Sequence, residues 1–316
     1  MTGDATVVKN AGSHFMLSML PEWKPFPAVL KGRIRLKAND STNPVAVGDR
    51  VRFETQSEDL REVTLTNPAL ITEVLDRKNY VVRKSTNLSR QSHVIAANID
   101  MAFAVVTLYF PEVKLPFLDR MLVTCEVYGV PVTILLNKVD LYRQEAPETV
   151  ENFINIYTKA GYNVVETSAK TGEGIEELRK ICDGKVCLFS GESGVGKSSL
   201  IKALDPTLDP KIGKISVAHL QGKHTTSLYE MYELASGGAV IDTPGLRGFG
   251  LVNLEKEEIA RYFPEMLRAA EGCRFTPCTH THEPGCAVKE AVENGEISAE
   301  RYSSYLGMIE EDKKFR

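Results

Sequence analysis

The sequence predicts an α/β fold with a small β-barrel ahead of it and a mainly helical domain behind. Three observations predict this. Short alternating apolar runs broken by turn residues fill residues 6–77. From about Ile95, longer apolar strands alternate with helical spacing. Beyond Gly250 the chain turns polar and helical around a cluster of cysteines and histidines. A chain of 316 residues has room for two or three domains, one of them large enough for an α/β core.

In the first region, GRIRLK points Arg33, Arg35 and Lys37 to one face of a strand and Ile34 and Leu36 to the other. Val45, Val47, Val51 and Phe53 continue an apolar face, with Gly48-Asp49 as a turn or bulge. Short strands with tight turns over this length suggest a barrel of the OB-fold type. Seven Lys or Arg lie between Lys24 and Arg52, against Asp40 and Asp49. Such a face is either a solvated charged strand or a surface for the RNA backbone, since paired cations release counterions from phosphates.

In the second region, Ile99 to Thr107, Val132 to Leu136, Asn163 to Glu166 and Lys185 to Phe189 read as strands. Helical spacing falls between them, at Leu115 to Tyr128, Thr149 to Ala160 and Glu173 to Ile181. This alternation predicts a largely parallel sheet covered by helices. In the third region, Ser298 fits the N-cap of a last helix from Ala299 to about Lys313.

Apolar content of 43% and charged content of 25% suit a soluble globular protein. The formal net charge of −4 excludes a chain basic throughout, so any nucleic-acid binding must come from local patches. The opening MTGDATVVKNAGSHF has no basic region followed by a long apolar run, so no secretory signal is expected there. The longest apolar stretch, Met101 to Phe110, is too short to span a bilayer. Cys125, Cys182 and Cys187 sit in apolar helix or strand patterns.

The chemistry begins at GESGVGKS, residues 191–198, which fits G-x-x-x-x-G-K-[ST]. Gly191, Gly194 and Gly196 let the backbone turn its N–H groups inward around phosphates, with Glu192, Ser193 and Val195 between them. Lys197 is placed to reach the β- and γ-phosphates and Ser198 to ligate Mg²⁺. The helix from Ser199 aims its positive end at the anion. A chance glycine-rich turn is disfavoured by the apolar strand that enters and the helix that leaves. Downstream, AVIDTPG fits D-x-x-G, with Asp242 supporting Mg²⁺ and the Gly245 N–H contacting the γ-phosphate. GKHTTS lies between, and Thr225 or Thr226 supplies the switch hydroxyl on Mg²⁺.

The phosphate loop alone does not tell ATP from GTP. Upstream, LLNKVD carries the N-K-x-D pattern at Asn137, Lys138 and Asp140. Asp140 can accept from guanine N1–H and N2–H₂, Asn137 can reach the other edge of the base, and the Lys138 stem can cover its face. Adenine lacks that donor pair, so a buried carboxylate left unpaired would reject it by a factor of roughly 10⁴. ETSAK follows the next strand and supplies the S-A-K element, Ser168, Ala169 and Lys170, in which the Ala169 N–H meets guanine O6. Five GTPase elements are thus present in the order base, base, phosphate, switch, switch. That order is a circular permutation of a P-loop GTPase. The usual chain ends are joined through Cys182-Asp183-Gly184-Lys185.

CRFTPCTHTHEPGC spaces Cys273, Cys278, His280 and Cys286 as C-x4-C-x-H-x5-C, a complete set for structural zinc. His282 competes with His280 for the fourth place. Packing of the cysteines as small apolar residues is the plainer alternative, and the polar, loop-like segment disfavours it.

With its barrel, its permuted order and its Cys/His cluster, the chain resembles over essentially its full length the ribosome small-subunit-dependent GTPase A family of bacteria. The resemblance implies an OB-fold (1–77), a permuted GTPase domain (78–250) and a zinc domain (251–316). It implies GTP hydrolysis to GDP and phosphate in late maturation of the 30S subunit, stimulated by that subunit. It also implies contact with 16S rRNA, a bacterial cytoplasmic location, Mg²⁺, and one structural Zn²⁺ per chain with His280 as the fourth ligand. A monomer is expected, with neither DNA nor membrane as partner. Leu246 stands where Ras-like proteins carry the glutamine that orients water, and the family shares such a hydrophobic replacement. His224 is the local candidate to position that water, with an ordinary loop histidine as the alternative. Other readings are an RNA chaperone whose GTP site only gates affinity, and a GTP-driven metal-delivery protein. Because switch II runs straight into the zinc domain, nucleotide state is expected to reorient that domain.

Overall fold

A computed structural model of the chain describes residues 1–32, 44–84, 92–208, 229–242 and 254–311. Residues 33–37 of the GRIRLK stretch, the switch residues His224, Thr225 and Thr226, and Gly245 and Leu246 lie outside the described residues.

The chain opens with β1 (Thr2–Ala11), β2 (His14–Ser18), β3 (Phe26–Leu30), β4 (Arg50–Glu54) and β5 (Ala69–Val74). They pair in the order β1-β2-β3-β5-β4, and β4 closes back on β1. β3 and β5 run parallel and the other pairs antiparallel. A closed five-strand barrel of this kind leaves no open edge. Alternation sends Ala5, Val7, Phe15, Leu17, Val51, Phe53 and Ile71 inward, all buried. The apolar face at Val45 and Val47 proves not to be strand, although both are buried. Val47 makes a single parallel bridge to Ala96. Gly48 turns the chain at φ +89°, where a Cβ would stand 2.1 Å from the Ala97 carbonyl oxygen. Asp49 is fully buried and receives both the Ala46 N–H and the Arg77 guanidinium.

A hairpin follows, β6 (Tyr80–Lys84) and β7 (Ser92–Ala97), forming its own two-stranded sheet. The α/β unit then runs β8 (Met101–Val106), α1 (Leu115–Val127), β9 (Val132–Asn137), α2 (Pro147–Ala160), β10 (Asn163–Thr167), α3 (Ile175–Cys182), β11 (Val186–Ser190), α4 (Lys197–Leu204), β12 (Tyr229–Glu233) and β13 (Ala239–Asp242). The strand order is β10-β9-β8-β11-β13-β12, parallel except for the antiparallel β12. Strands covered on both faces read as continuous apolar runs, and Ala102 to Val105 are accordingly all buried. Cys125, Cys182 and Cys187 are buried in α1, α3 and β11, as their patterns predict.

β12 also pairs with β1, through Lys9↔Glu230 and Asn10↔Tyr229. Barrel and α/β sheet therefore share one ladder of eleven strands. The C-terminal helices are α5 (Lys256–Ile259), α6 (Pro264–Ala270), α7 (Ala287–Glu293) and α8 (Ala299–Glu311). Ser298 precedes α8, and its hydroxyl accepts the Arg301 N–H at 3.4 Å. These helices enclose a small core with Phe263, Met266, Val288 and Tyr305, into which α1 inserts Val123.

Candidate guanine-nucleotide site and metal cluster

Parallel strands bring their C-terminal ends to one edge of the sheet, where such folds bind ligands. Asn137 ends β9, Thr167 ends β10, the phosphate loop leaves β11, and Asp242 ends β13. Asp242 is buried and stands in register with Phe189 of β11, which places it beside the root of the phosphate loop.

The loop is shaped by close backbone approach. A Cβ on Gly191 would stand 2.2 Å from the Val105 carbonyl oxygen. A Cβ on Gly196 would stand 2.4 Å from Asn137 Nδ2, so only glycine lets the base-reading and phosphate loops interlock there. Asn137 is buried; its amide donates to the Val195 carbonyl at 2.8 Å and accepts from the Thr167 hydroxyl at 3.2 Å. The expected role of Asn137 was at the base edge. The structure has its amide bracing the phosphate loop against β10. Lys197 opens α4, two residues earlier than the spacing suggests, and its ammonium donates to the Gly191 and Glu192 carbonyls, each at 2.7 Å. Glu192 also pairs with Lys114 at 3.0 Å.

On the base side, Lys138 takes the left-handed conformation, φ 63°. Its ammonium donates to the carbonyls of Gly194, at 2.7 Å, and Phe110, at 2.6 Å. Asp140 is exposed rather than buried, and Ser168, fully buried, donates to its carboxylate at 2.6 Å. The expected buried carboxylate is thus an exposed one, aimed by Ser168. Two supports escaped the sequence reading. The Tyr142 hydroxyl donates to the Asn137 carbonyl at 2.5 Å, and burial pushes that phenol well above its usual range. Arg143 pairs with Glu166 at 2.7 Å and with Glu173, joining the two base-reading loops. The N-K-V-D-L-Y-R run carries both residues, but only the fold shows their partners.

The second cluster lies in the C-terminal domain. Single ligand atoms of Cys273, Cys278, His280 and Cys286 all fall within 4.8 Å of one another. His280 is buried, with Nδ1 3.3 Å from the Cys286 sulfur and 3.6 Å from the Cys273 sulfur. His282 is exposed and turns to the Thr281 hydroxyl, so the competition between the two histidines falls to His280. The Tyr302 and Tyr305 hydroxyls hold the carbonyls of His280 and Thr279, each at 2.6 Å. Burial opposes charge on Glu283, but hydrogen bonds from Thr279 and Thr281 prevail and keep its carboxyl well below the usual range. Burial also lowers the His280 pKa, favouring the neutral, ligating imidazole. It pushes the Cys278 thiol up to about 12. Three sulfurs and one imidazole converging without an open position fit tetrahedral zinc.

Among the described residues, no helix is long and apolar enough to cross a membrane. A phosphate loop and two base-reading loops, at the tips of one parallel sheet and in permuted chain order, define a circularly permuted P-loop GTPase. The profile of the RsgA GTPase family matches residues 74–252. The chain is 46% identical to the small ribosomal subunit biogenesis GTPase RsgA 2 of Bacteroides thetaiotaomicron, over 98% of each chain. It is 45% identical to the RsgA of Porphyromonas gingivalis, over 99% of this chain and 98% of that one. The crystal structure of YjeQ from Thermotoga maritima superposes with a TM-score of 0.77 at 33% identity, covering 98% of both chains. YloQ, described as a circularly permuted GTPase, gives 0.71 at 27% identity, over 100% and 96%. The chain belongs to the RsgA GTPase family, and it is a guanine-nucleotide-binding, GTP-hydrolysing enzyme.

Proposed function

We propose that this chain hydrolyses GTP as a late maturation factor of the 30S ribosomal subunit in the bacterial cytoplasm, acting as a monomer on 16S rRNA. The observation that carries the reading is the interlock of Asn137 with Val195 and Gly196, which sets base selection and phosphate binding at a fixed separation. The names of its relatives supply the small subunit as partner. The proposed units are 1–77, 78–250 and 251–316.

Asp140 and the Ala169 N–H select guanine, with Ser168 aiming the carboxylate and Lys138 and Lys170 flanking the base. N–H groups of residues 191–199 hold the phosphates. Lys197 leaves its loop carbonyls for the β- and γ-oxygens, where it offsets charge that builds during transfer. Ser198, Asp242 and Thr225 or Thr226 would hold Mg²⁺, which would offset the charge of the phosphates. The Gly245 N–H meets the γ-phosphate. Leu246 cannot orient water, so hydrolysis without the partner is slow, and His224 takes over the positioning of water. Cys273, Cys278, His280 and Cys286 hold one structural Zn²⁺ per chain. Among the described cations from Lys24 to Arg52, Lys24, Lys31 and Arg52 meet carboxylates and Arg50 is exposed, so the charge offered to RNA is that of Arg33, Arg35, Lys37 and Arg50.

The test is GTP turnover by the purified chain with 30S, 50S or 70S particles, or with none. Acceleration by 30S alone is the expected result, and equal rates in all four would sink the reading. His224→Ala should lower the stimulated rate and leave GTP affinity unchanged.

A further inference from the structure

The loop between β8 and α1 carries a feature that the fold does not require. Phe110 is the most exposed large apolar residue described, with 79% of its surface open. It also holds a left-handed backbone, φ 57°, which a bulky side chain rarely adopts. The loop is nonetheless fixed. Buried Thr107 donates to the Pro111 carbonyl at 2.7 Å, and Lys138 donates to the Phe110 carbonyl. Neighbouring Tyr109 sets its ring edge-on to Tyr142, centroids 5.9 Å apart, and Tyr142 in turn holds Asn137.

These ties run to the base-reading loop, and Lys138 extends them to the phosphate loop. In the proposed site the Lys138 stem lies against the base, and its ammonium stops between the Gly194 and Phe110 carbonyls. On that reading the ammonium marks the passage from base to phosphates, which is the place of the sugar. A bulky ring kept in an uncommon backbone conformation there has a ready use. We propose that Phe110 is a nucleotide-binding residue whose ring lies against the sugar of bound GDP or GTP. Apolar cover of the sugar holds both nucleotides alike and leaves the chemical step untouched. The proposal rests on the reading of this cleft as the guanine-nucleotide site.

The experiment measures GDP and non-hydrolysable GTP-analogue affinities of the full chain, with steady-state GTP turnover alongside. Phe110→Ala and Phe110→Asn should weaken both nucleotides by roughly five- to tenfold. KM should rise by the same factor with kcat unchanged. Asparagine accepts the left-handed backbone, so agreement between the two variants assigns the loss to the ring. Phe110→Tyr should restore affinity. Affinities within twofold of the parent in both variants overturn the proposal. So does a loss confined to turnover with 30S particles, which would give the ring to a partner surface. Asp140→Asn is the control for the site itself: an amide there donates to the C2 carbonyl of xanthine, so preference should move from GTP to XTP. If it does not move, the guanine site is misread. If it moves while the Phe110 variants bind normally, only the ring proposal falls.

Discussion

The α/β unit meets its two neighbours by opposite means. Toward the C-terminal domain the joint is buried. Arg301 of α8, 1% exposed, donates to Glu265 at 2.7 and 3.0 Å and to Asp119 of α1 at 2.7 Å. The Tyr157 hydroxyl of α2 shares Asp119 at 3.0 Å, and the guanidinium lies 4.7 Å from the Phe263 ring centre. Toward the barrel the joint is made by backbone hydrogen bonds and shared apolar packing, with Val8 and Val47 in one core with Ile95 and Met231. It includes two residue pairs between β1 and β12, the Val47–Ala96 bridge, the Asn98 amide donating to the Gly48 carbonyl at 2.9 Å, and a largely buried Lys9–Glu230 pair at 2.8 Å, beside a cleft of about 980 Å³ lined in part by Trp23, Leu208 and Tyr232. The C-terminal domain is thus seated on α1 and the end of α2, and the barrel is joined to β12 and to β7. Connectivity alone pointed to the zinc domain as the part that swings.

The comparison can be broken at several points. Replacing Cys286 with serine should have the largest effect, because structural zinc contributes on the order of 10 kcal/mol to small zinc domains. Elemental analysis should fall from one zinc per chain to none, and proteolysis should start in the C-terminal helices. Arg301→Met comes next. It strands two buried carboxylates and should cost about 3–5 kcal/mol in denaturant unfolding. Restoring much of that loss by adding Asp119→Leu and Glu265→Leu would identify unpaired charge, not lost packing, as its cause. Gly196→Ala forces Asn137 off the phosphate loop. It should weaken GDP and GTP binding at least tenfold, with a smaller loss of stability, roughly 1–3 kcal/mol. Lys9→Ala should be mildest, within about 1 kcal/mol, as partly exposed pairs usually are. A loss at Lys9 equal to that at Arg301 would erase the distinction between the joints.

Much of the site was legible because its motifs sit where apolar parallel strands end, and such strands announce themselves as unbroken runs. β9 and β11 lie within a residue or so of the stretches read from sequence. What stayed hidden depends on partners distant in the chain. Arg301 looks like one more charge on an amphipathic helix until Asp119, 182 residues away, is packed against it. The β6–β7 hairpin escaped because YVVRK and SHVIAA are short and mix apolar with polar residues. Burial of Asp140 was inferred from its task, but the fold aims it through Ser168 and leaves it open to the ligand it awaits.

One consequence lies in the seam that closes the permuted order. Gly238, at φ +81°, nests against the turn at 182–185, where a Cβ would stand 2.6 Å from the Lys185 carbonyl oxygen and 2.8 Å from that of Cys182. The join is thus a keyed fit and not a slack splice. A peptide tag or a reporter domain spliced in at Asp183-Gly184 would press the key out of its slot, and should lower the stability of the whole α/β unit.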